Sequence, residues 1–331
     1  MRLLKHIITV LACVAGFAGA APAFAAEEAK DIVLKGDAKC TRCHDESDSP
    51  AVLAIGKTRH GTVADGRTPT CTDCHGASDS HANNPSGKQR PAPERMFTKK
   101  ANTPVAQRNA ACLSCHEKDA KRSHWAGSMH EARDVACTNC HQIHTAHDKV
   151  RDKKTQPEVC YACHKEQRAQ VNRPSHHPIP EGKMTCSDCH NGHGSTGPKL
   201  MKRDSINATC YTCHMEKRGP FVHNHQPVSE DCSICHNPHG TTAENMLKAR
   251  PPFLCQQCHT PHGGFIPQLR GAQVVNNAGV ISAAPGNAVA IGKSTTNLTQ
   301  ARSCNNCHTQ VHGGNNPSTT NSKPTPQFMF R

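Results

Sequence analysis

Cys186-Ser187-Asp188-Cys189-His190-Asn191-Gly192-His193-Gly194 holds the reading of the whole chain in nine residues. Two thiols stand three apart and a histidine follows at once. This C-x-x-C-H spacing is the attachment signal for c-type haem, in which the thiols add to the porphyrin vinyls and the histidine ligates the iron. The motif occurs ten times, beginning at Cys40, Cys71, Cys112, Cys137, Cys160, Cys186, Cys210, Cys232, Cys255 and Cys304. The second thiols are Cys43, Cys74, Cys115, Cys140, Cys163, Cys189, Cys213, Cys235, Cys258 and Cys307. The proximal ligands are then His44, His75, His116, His141, His164, His190, His214, His236, His259 and His308. Of 21 cysteines only Cys13 is left over. The expected cofactor is therefore ten covalently bound haem c.

Other uses of cysteine fit less well. A disulfide scaffold has no need of a histidine after every second cysteine. Structural zinc joins two C-x-x-C arms, or spaces its histidines three to five apart. Iron–sulfur ligation uses different cysteine runs.

Residues 1–26 read as a secretory signal peptide. Arg2 and Lys5 begin it, Ile7–Ala20 are apolar, and Ala23-Phe24-Ala25 is a small-residue cleavage pattern. Lipidation at Cys13 is disfavoured, because Leu11 suits a lipoprotein signal poorly and the apolar stretch runs on past it. No later stretch reaches the roughly 20 apolar residues a spanning helix needs. The exported part, 27–331, is expected to be one decahaem cytochrome c domain. Its composition forbids an ordinary core: aromatic residues are 3%, with Trp125, Tyr161 and Tyr211 the only large polar-edged ones. The porphyrins must supply the apolar interior, and the chain should not fold without them. The net charge of +13 falls to +11 without Arg2 and Lys5. Each ferric haem contributes roughly one negative charge through its propionates. The basic balance thus reads as propionate partners and solvated surface, and a nucleic-acid partner is excluded.

The motifs repeat in twos. Cys112, Cys160, Cys210 and Cys255 are 48, 50 and 45 residues apart, and Cys137, Cys186 and Cys232 keep the same beat. Five two-haem repeats are expected. Ten further histidines fall in register as distal iron ligands: His60, His81, His130, His144, His177, His193, His225, His239, His262 and His312. His124, His147, His176 and His223 fall outside it, and His176 and His223 sit beside ligand candidates they would be able to replace. The methionines show no register. With ten motif histidines and ten sixth ligands, no iron is left open for a substrate, so the reading is electron transfer and not enzyme catalysis. The fold class follows: a multihaem cytochrome c, mostly coil with short helices and minimal strand, drawn out as an elongated haem-cored wire. Helical turns are expected at Glu117–His124 and Met215–Arg218. Ser78–Pro93, Ile266–Ser303 and Ser318–Pro326 are expected as loops or tail.

Runs between and within the motifs resemble the periplasmic decahaem cytochromes of the MtrA type. They include His60-Gly61, Asp134-Val135-Ala136-Cys137, Cys140-His141-Gln142-Ile143-His144, Thr185-Cys186-Ser187-Asp188-Cys189-His190-Asn191, Glu216-Lys217-Arg218-Gly219-Pro220, Cys235-His236-Asn237-Pro238-His239-Gly240, Cys255-Gln256-Gln257-Cys258-His259 and Cys307-His308-Thr309-Gln310-Val311-His312-Gly313. The resemblance implies two histidines on every iron and a wire-like row inserted into an outer-membrane porin-type β-barrel. It implies a periplasmic location at the outer membrane. The implied partners are that barrel, periplasmic or inner-membrane c-type cytochromes, and an extracellular multihaem cytochrome or soluble iron. The alternative is a soluble periplasmic electron shuttle or reservoir.

Overall fold

The computed structural model describes residues 34–61, 66–84, 89–259, 274–275, 281–282, 304–306 and 308–315. The signal segment, His262, Cys307 and the 318–326 tail lie outside these. Short helices and single turns are strung on irregular backbone. Among the described residues the longest helix, Val105–His116, has 12 residues. Within the 266–303 stretch, two antiparallel two-residue strands pair Val274 with Ser282 and Val275 with Ile281.

The recurring unit is one helical turn. In motif after motif the histidine N–H donates to the carbonyl of the first cysteine four residues back, as in His141 to Cys137 at 2.9 Å, His190 to Cys186 at 2.9 Å and His236 to Cys232 at 3.0 Å. Helical spacing puts positions i, i+3 and i+4 on one face, so the turn presents both thiols and the imidazole to the same side. Local chemistry starts the turn. Thr70 and Thr185 form capping boxes with Asp73 and Asp188, in which the threonine N–H donates to the carboxylate at 2.7 and 2.8 Å. Asp231 caps the turn at Cys232–Ile234 by accepting from Ser233 N–H.

Consecutive motifs are clamped by a residue three positions before the first of them. The Asn207 carboxamide donates to the carbonyls of Val228 and Ser229 at 2.9 and 3.1 Å, and its oxygen accepts from Cys232 N–H at 2.7 Å. Asn109 does the same with Val135 and Cys137. Asp37 accepts from Cys71 N–H at 2.5 Å. In the third pair the acceptor shifts by one residue, and Gln156 accepts from Ser187 N–H.

The apolar core made by the polypeptide itself is very small. Among the described residues the buried hydrophobic side chains are Trp125, Ala136, Tyr161, Val171, Met201 and Ala243. Six such residues cannot offset the conformational entropy of ordering a chain of this length.

The helical turns expected at Glu117–His124 are present as separate turns that do not join into a helix. The hydrogen bonds there run over three residues, from Asp119 to His116, Arg122 to Asp119, Trp125 to Arg122 and Ser128 to Trp125. That is a chain of successive turns, held where Asp119 bonds both His116 and Arg122. Met215–Lys217 is a 3-10 turn as the composition suggests. The Ser78–Pro93 loop contains one helical turn, Asp79–Ala82, which carries His81.

Replacing Asn207 by alanine removes three part-buried hydrogen bonds, to the backbone of Val228, Ser229 and Cys232. The expected cost is on the order of 1–3 kcal/mol. Thermal unfolding of the haem-loaded variant should show a lower midpoint with the haem content unchanged; an unaltered midpoint would remove the clamp from the account.

Candidate functional site: nine facing histidine pairs

Nine of the ten motif histidines face a second histidine across a gap. The pairs are His44 with His81, His75 with His144, His116 with His60, His141 with His193, His164 with His130, His190 with His239, His214 with His177, His236 with His312 and His259 with His225. Their ring centres are 5.9–6.2 Å apart, yet the angle between ring planes runs from 4° to 76°. A separation that stays constant while the angle varies is not set by ring-on-ring packing. A metal bonded to one nitrogen of each ring at about 2 Å would set ring centres about 6 Å apart whatever the rotation. Nine of the ten histidines in the distal register therefore meet a motif histidine. The tenth, His262, lies outside the described residues, as does any partner it offers His308.

The pairing crosses the repeats in a regular way. A histidine three or four residues behind a motif does not face that motif's own histidine. His193, behind His190, faces His141; His239, behind His236, faces His190; His312, behind His308, faces His236. His144, behind His141, reaches back to His75. Four other distal histidines serve a motif downstream of them, His60 facing His116, His130 facing His164, His177 facing His214 and His225 facing His259, whereas His81, six residues behind His75, reaches back to His44. Each even-numbered motif up to the eighth is thus completed by the next even-numbered one.

Backbone geometry holds the crossing in place. His130 donates from Nδ1 to the carbonyl of Gly192, His177 to that of Pro238 and His225 to that of Val311, at 2.8, 2.8 and 3.1 Å. Each acceptor immediately precedes a trailing histidine, so the two distal histidines at each junction are positioned as a couple. Gly194 and Gly240, just after His193 and His239, have φ of +109° and +134°. A Cβ at Gly194 would strike the His124 carbonyl, and one at Gly240 the Gln170 carbonyl, both in the preceding repeat. Only glycine gives this combination of left-handed backbone and close approach. Ser175 and Thr241 exchange backbone hydrogen bonds at 3.2 and 2.8 Å across the same contact.

In eleven of the paired rings Nδ1 is committed elsewhere, which leaves Nε2 for the gap. His75, His81, His144, His190 and His236 donate to the carbonyls of Arg95, Pro91, Val52, Lys199 and Asn245 at 2.7–3.0 Å. For His190 and His236 the acceptor is a residue with left-handed backbone, Lys199 (φ 54°) and Asn245 (φ 55°). Such bonds fix the tautomer and orientation a ligating imidazole needs. Burial keeps the rings neutral: it draws His193 down to about 4, with the His141 ring adding to the effect, and lowers His75, His190 and His239 as well. A neutral imidazole is the form that binds metal.

The thiols define the order of the motifs. First cysteines lie beside one another within each pair of motifs, Cys40 by Cys71, Cys112 by Cys137, Cys160 by Cys186, Cys210 by Cys232, and Cys255 by Cys304, none of them in a disulfide. Second cysteines meet between pairs, where Cys140 feels the charge of Cys163, Cys189 that of Cys213 and Cys235 that of Cys258. Cys74 feels Cys112 and Cys115 in the same way. Neighbouring motifs in space are neighbours in sequence, through two alternating kinds of junction.

The residues present fit haem in two further respects. Arg108 is buried, and its Nε finds no acceptor in the polypeptide; neither does the buried Tyr161 hydroxyl. A buried guanidinium needs an anion, which a haem propionate supplies. Among the described residues no group of three or more metal-ligating side chains occurs, so the ligand set available is the facing pair.

The histidines outside the register are engaged differently. His176 donates to the Arg173 carbonyl and holds Glu181 through Nε2 at 3.1 Å; that bond raises its pKa. His147 holds Asp152 through Nε2 at 3.5 Å. His223 exchanges two backbone bonds with Gly314, and its neighbour His225 makes the ring pair. The clamp residues Asp37, Asn109 and Asn207 were not among the sequence candidates. Their signal was an Asp or Asn three residues before an odd-numbered motif.

Comparison with known proteins agrees with this geometry. The family described as "Cytochrome c-type protein NrfB-like" matches residues 71–157, and the "Doubled CXXCH motif" matches residues 176–219 and 225–264. The chain is 43% identical over 286 residues to "Multiheme cytochrome MtrA" of Shewanella baltica (strain OS185), covering 86% of this chain and 80% of that relative. It is 31% identical over 71 residues to "Cytochrome c-type protein NrfB" of Escherichia coli O6:H1, covering 20% of this chain and 37% of that relative. The chain binds haem c through its C-x-x-C-H motifs, it transfers electrons, and it belongs to the family of the multihaem cytochrome MtrA.

Proposed function

We propose that residues 27–331 form one domain of five two-haem repeats, and that it carries electrons through ten bis-histidine haem c groups across the outer membrane, inside a porin-type β-barrel. The electrons pass between periplasmic or inner-membrane c-type cytochromes and extracellular iron, other metal, or an outer-face multihaem cytochrome. The protein works in the periplasm at the outer membrane after its signal peptide is removed. When bound, the haems supply one-electron Fe(III)/Fe(II) chemistry, with potentials kept low by histidine at both axial positions. The polypeptide's part is to hold each site closed, rigid and next to the following one.

The observation that carries this reading is the set of nine ring pairs at 5.9–6.2 Å. Paired imidazoles leave no coordination position for a substrate, which suits a relay and not a catalyst. The thiol couples support a continuous series in chain order, from Cys40 to Cys304. A row of this length has a reason to exist where a gap of about 30 Å must be crossed. Among the described residues no helix is long and apolar enough to cross a membrane, so a crossing needs a sheath. A barrel with a polar lumen is one that can hold a folded plug.

Two measurements test the reading. Haem content should be ten per chain, and the electron paramagnetic resonance spectrum of the oxidised protein should contain low-spin iron alone. His193→Ala should convert one iron in ten to a high-spin centre that binds carbon monoxide when reduced, whereas His147→Ala and His176→Ala should leave the spectrum unchanged. A high-spin centre in the unmodified protein, or none in His193→Ala, would contradict the axial assignment. Mild detergent extraction of the outer membrane should recover the protein with a large β-barrel, and deletion should abolish electron exchange with external iron. Recovery wholly in the soluble periplasmic fraction, with no barrel attached, would establish the shuttle in its place.

A further inference from the structure

Among the second, fourth, sixth and eighth motifs, three orient the motif histidine in one way and one departs from it. His75, His190 and His236 direct Nδ1 at backbone carbonyls of Arg95, Lys199 and Asn245. His141 directs Nδ1 at a carboxylate, Asp148 Oδ2, at 2.8 Å. The loop behind His141 brings the aspartate back after seven residues, and Gln142 N–H fixes its other oxygen at 3.2 Å. The Asp148 side chain is only 15% exposed, and that of His141 27%. Among the described residues no lysine or arginine lies within ion-pair distance of Asp148, so its charge acts on His141 undivided. His116 also bonds a carboxylate, Asp119, but that group is half exposed and shares its charge with Arg122. His214 and Glu216 stand 3.7 Å apart, both more than half exposed.

We propose that Asp148 is a positioning residue that makes the iron held between His141 and His193 the lowest-potential step of the series. The inference rests on the proposed reading of that ring pair as an axial set. A carboxylate accepting the Nδ1 proton makes Nε2 a stronger donor to the metal. Its negative charge in a poorly solvated place also favours the more positive ferric state over the ferrous one. In the step itself one electron converts Fe(III) to Fe(II); no bond is made or broken and the proton stays on Nδ1. The fourth motif meets the third through Cys112 and Cys137 and the fifth through Cys140 and Cys163. A low step there divides the series into three centres on one side and six on the other. Electrons rest in the two segments and cross Asp148's site without accumulating on it.

The test is a potentiometric titration of the purified ten-haem protein, followed by haem absorbance, for wild type, Asp148→Asn and Asp148→Glu. Asp148→Asn should move the lowest-potential tenth of the absorbance change upward by at least tenfold in its reduction equilibrium, which is 59 mV for one electron. The other nine-tenths should stay in place. Asp148→Glu, which keeps the charge, should retain most of the low-potential foot, and Asp119→Asn should shift its centre by less than Asp148→Asn does. A titration of Asp148→Asn that superimposes on wild type, with ten haems bound and all irons low-spin, would overturn the proposal and leave the axial pairing intact. Should Asp148→Asn fail to load ten haems, redox-difference infrared spectra of wild type labelled with carboxyl-13C aspartate decide the matter. A labelled carboxylate band must then change within the lowest-potential tenth of the titration; its absence there would equally overturn the proposal.

Discussion

Two imidazole rings held about 6 Å apart, nine times over, are the constraint on which the rest of the structure depends. Among the described residues the polypeptide offers almost no apolar core, and the helices are mostly single turns. What brings distant segments together is the need to complete each pair. His144 travels back to His75, and His312 to His236. Because the trailing histidine of one even-numbered motif completes the one before, neither is whole alone. Stability should therefore propagate between neighbours, as in solenoid repeats, and depend on the bound cofactor, as in small metal domains.

The same logic explains where the sequence was readable and where it was not. The C-x-x-C-H turn is a local object: three chemical groups within five residues, on one face of one helical turn, and its count and register lie open in the chain. The distal candidates also recur with the repeat, as His130, His177 and His225 do, and nine of the ten face a motif histidine. Which histidine meets which motif was hidden. Sequence proximity suggests that His193 serves His190, but the turn carries both imidazoles away from each other, and Gly194 lets His193 press into the preceding repeat. The clamps at Asp37, Asn109 and Asn207 were visible as a pattern, yet an Asn before a short helix reads first as a cap. Glu117–His124 looked helical by composition, and the Asp119 carboxylate captured the local donors and turned the backbone at every third residue.

Charge follows from the same economy. The basic excess of +13 is poorly matched by the few ion pairs of the polypeptide, most of them exposed and worth little. Arg108 is the informative exception, a buried cation whose Nε has no acceptor in its own chain. Propionates are the anions such a site awaits, so cofactor and side-chain charge belong to one ledger. The Nδ1 partners are the finer adjustment on top of it. Carbonyls, a serine hydroxyl at His44 and carboxylates at His116 and His141 give otherwise similar pairs different electronic surroundings. Identical motifs can in this way hold centres that are not equivalent.

The most direct test of the cross-repeat pairing is an experimental density map of the haem-loaded protein at a resolution that separates axial side chains. The account predicts His193 on the iron whose porphyrin is bonded to Cys137 and Cys140, and His239 on the iron of the porphyrin bonded to Cys186 and Cys189. Density placing either histidine on the iron of the motif it immediately follows, or an iron among these with an empty axial position, would contradict it.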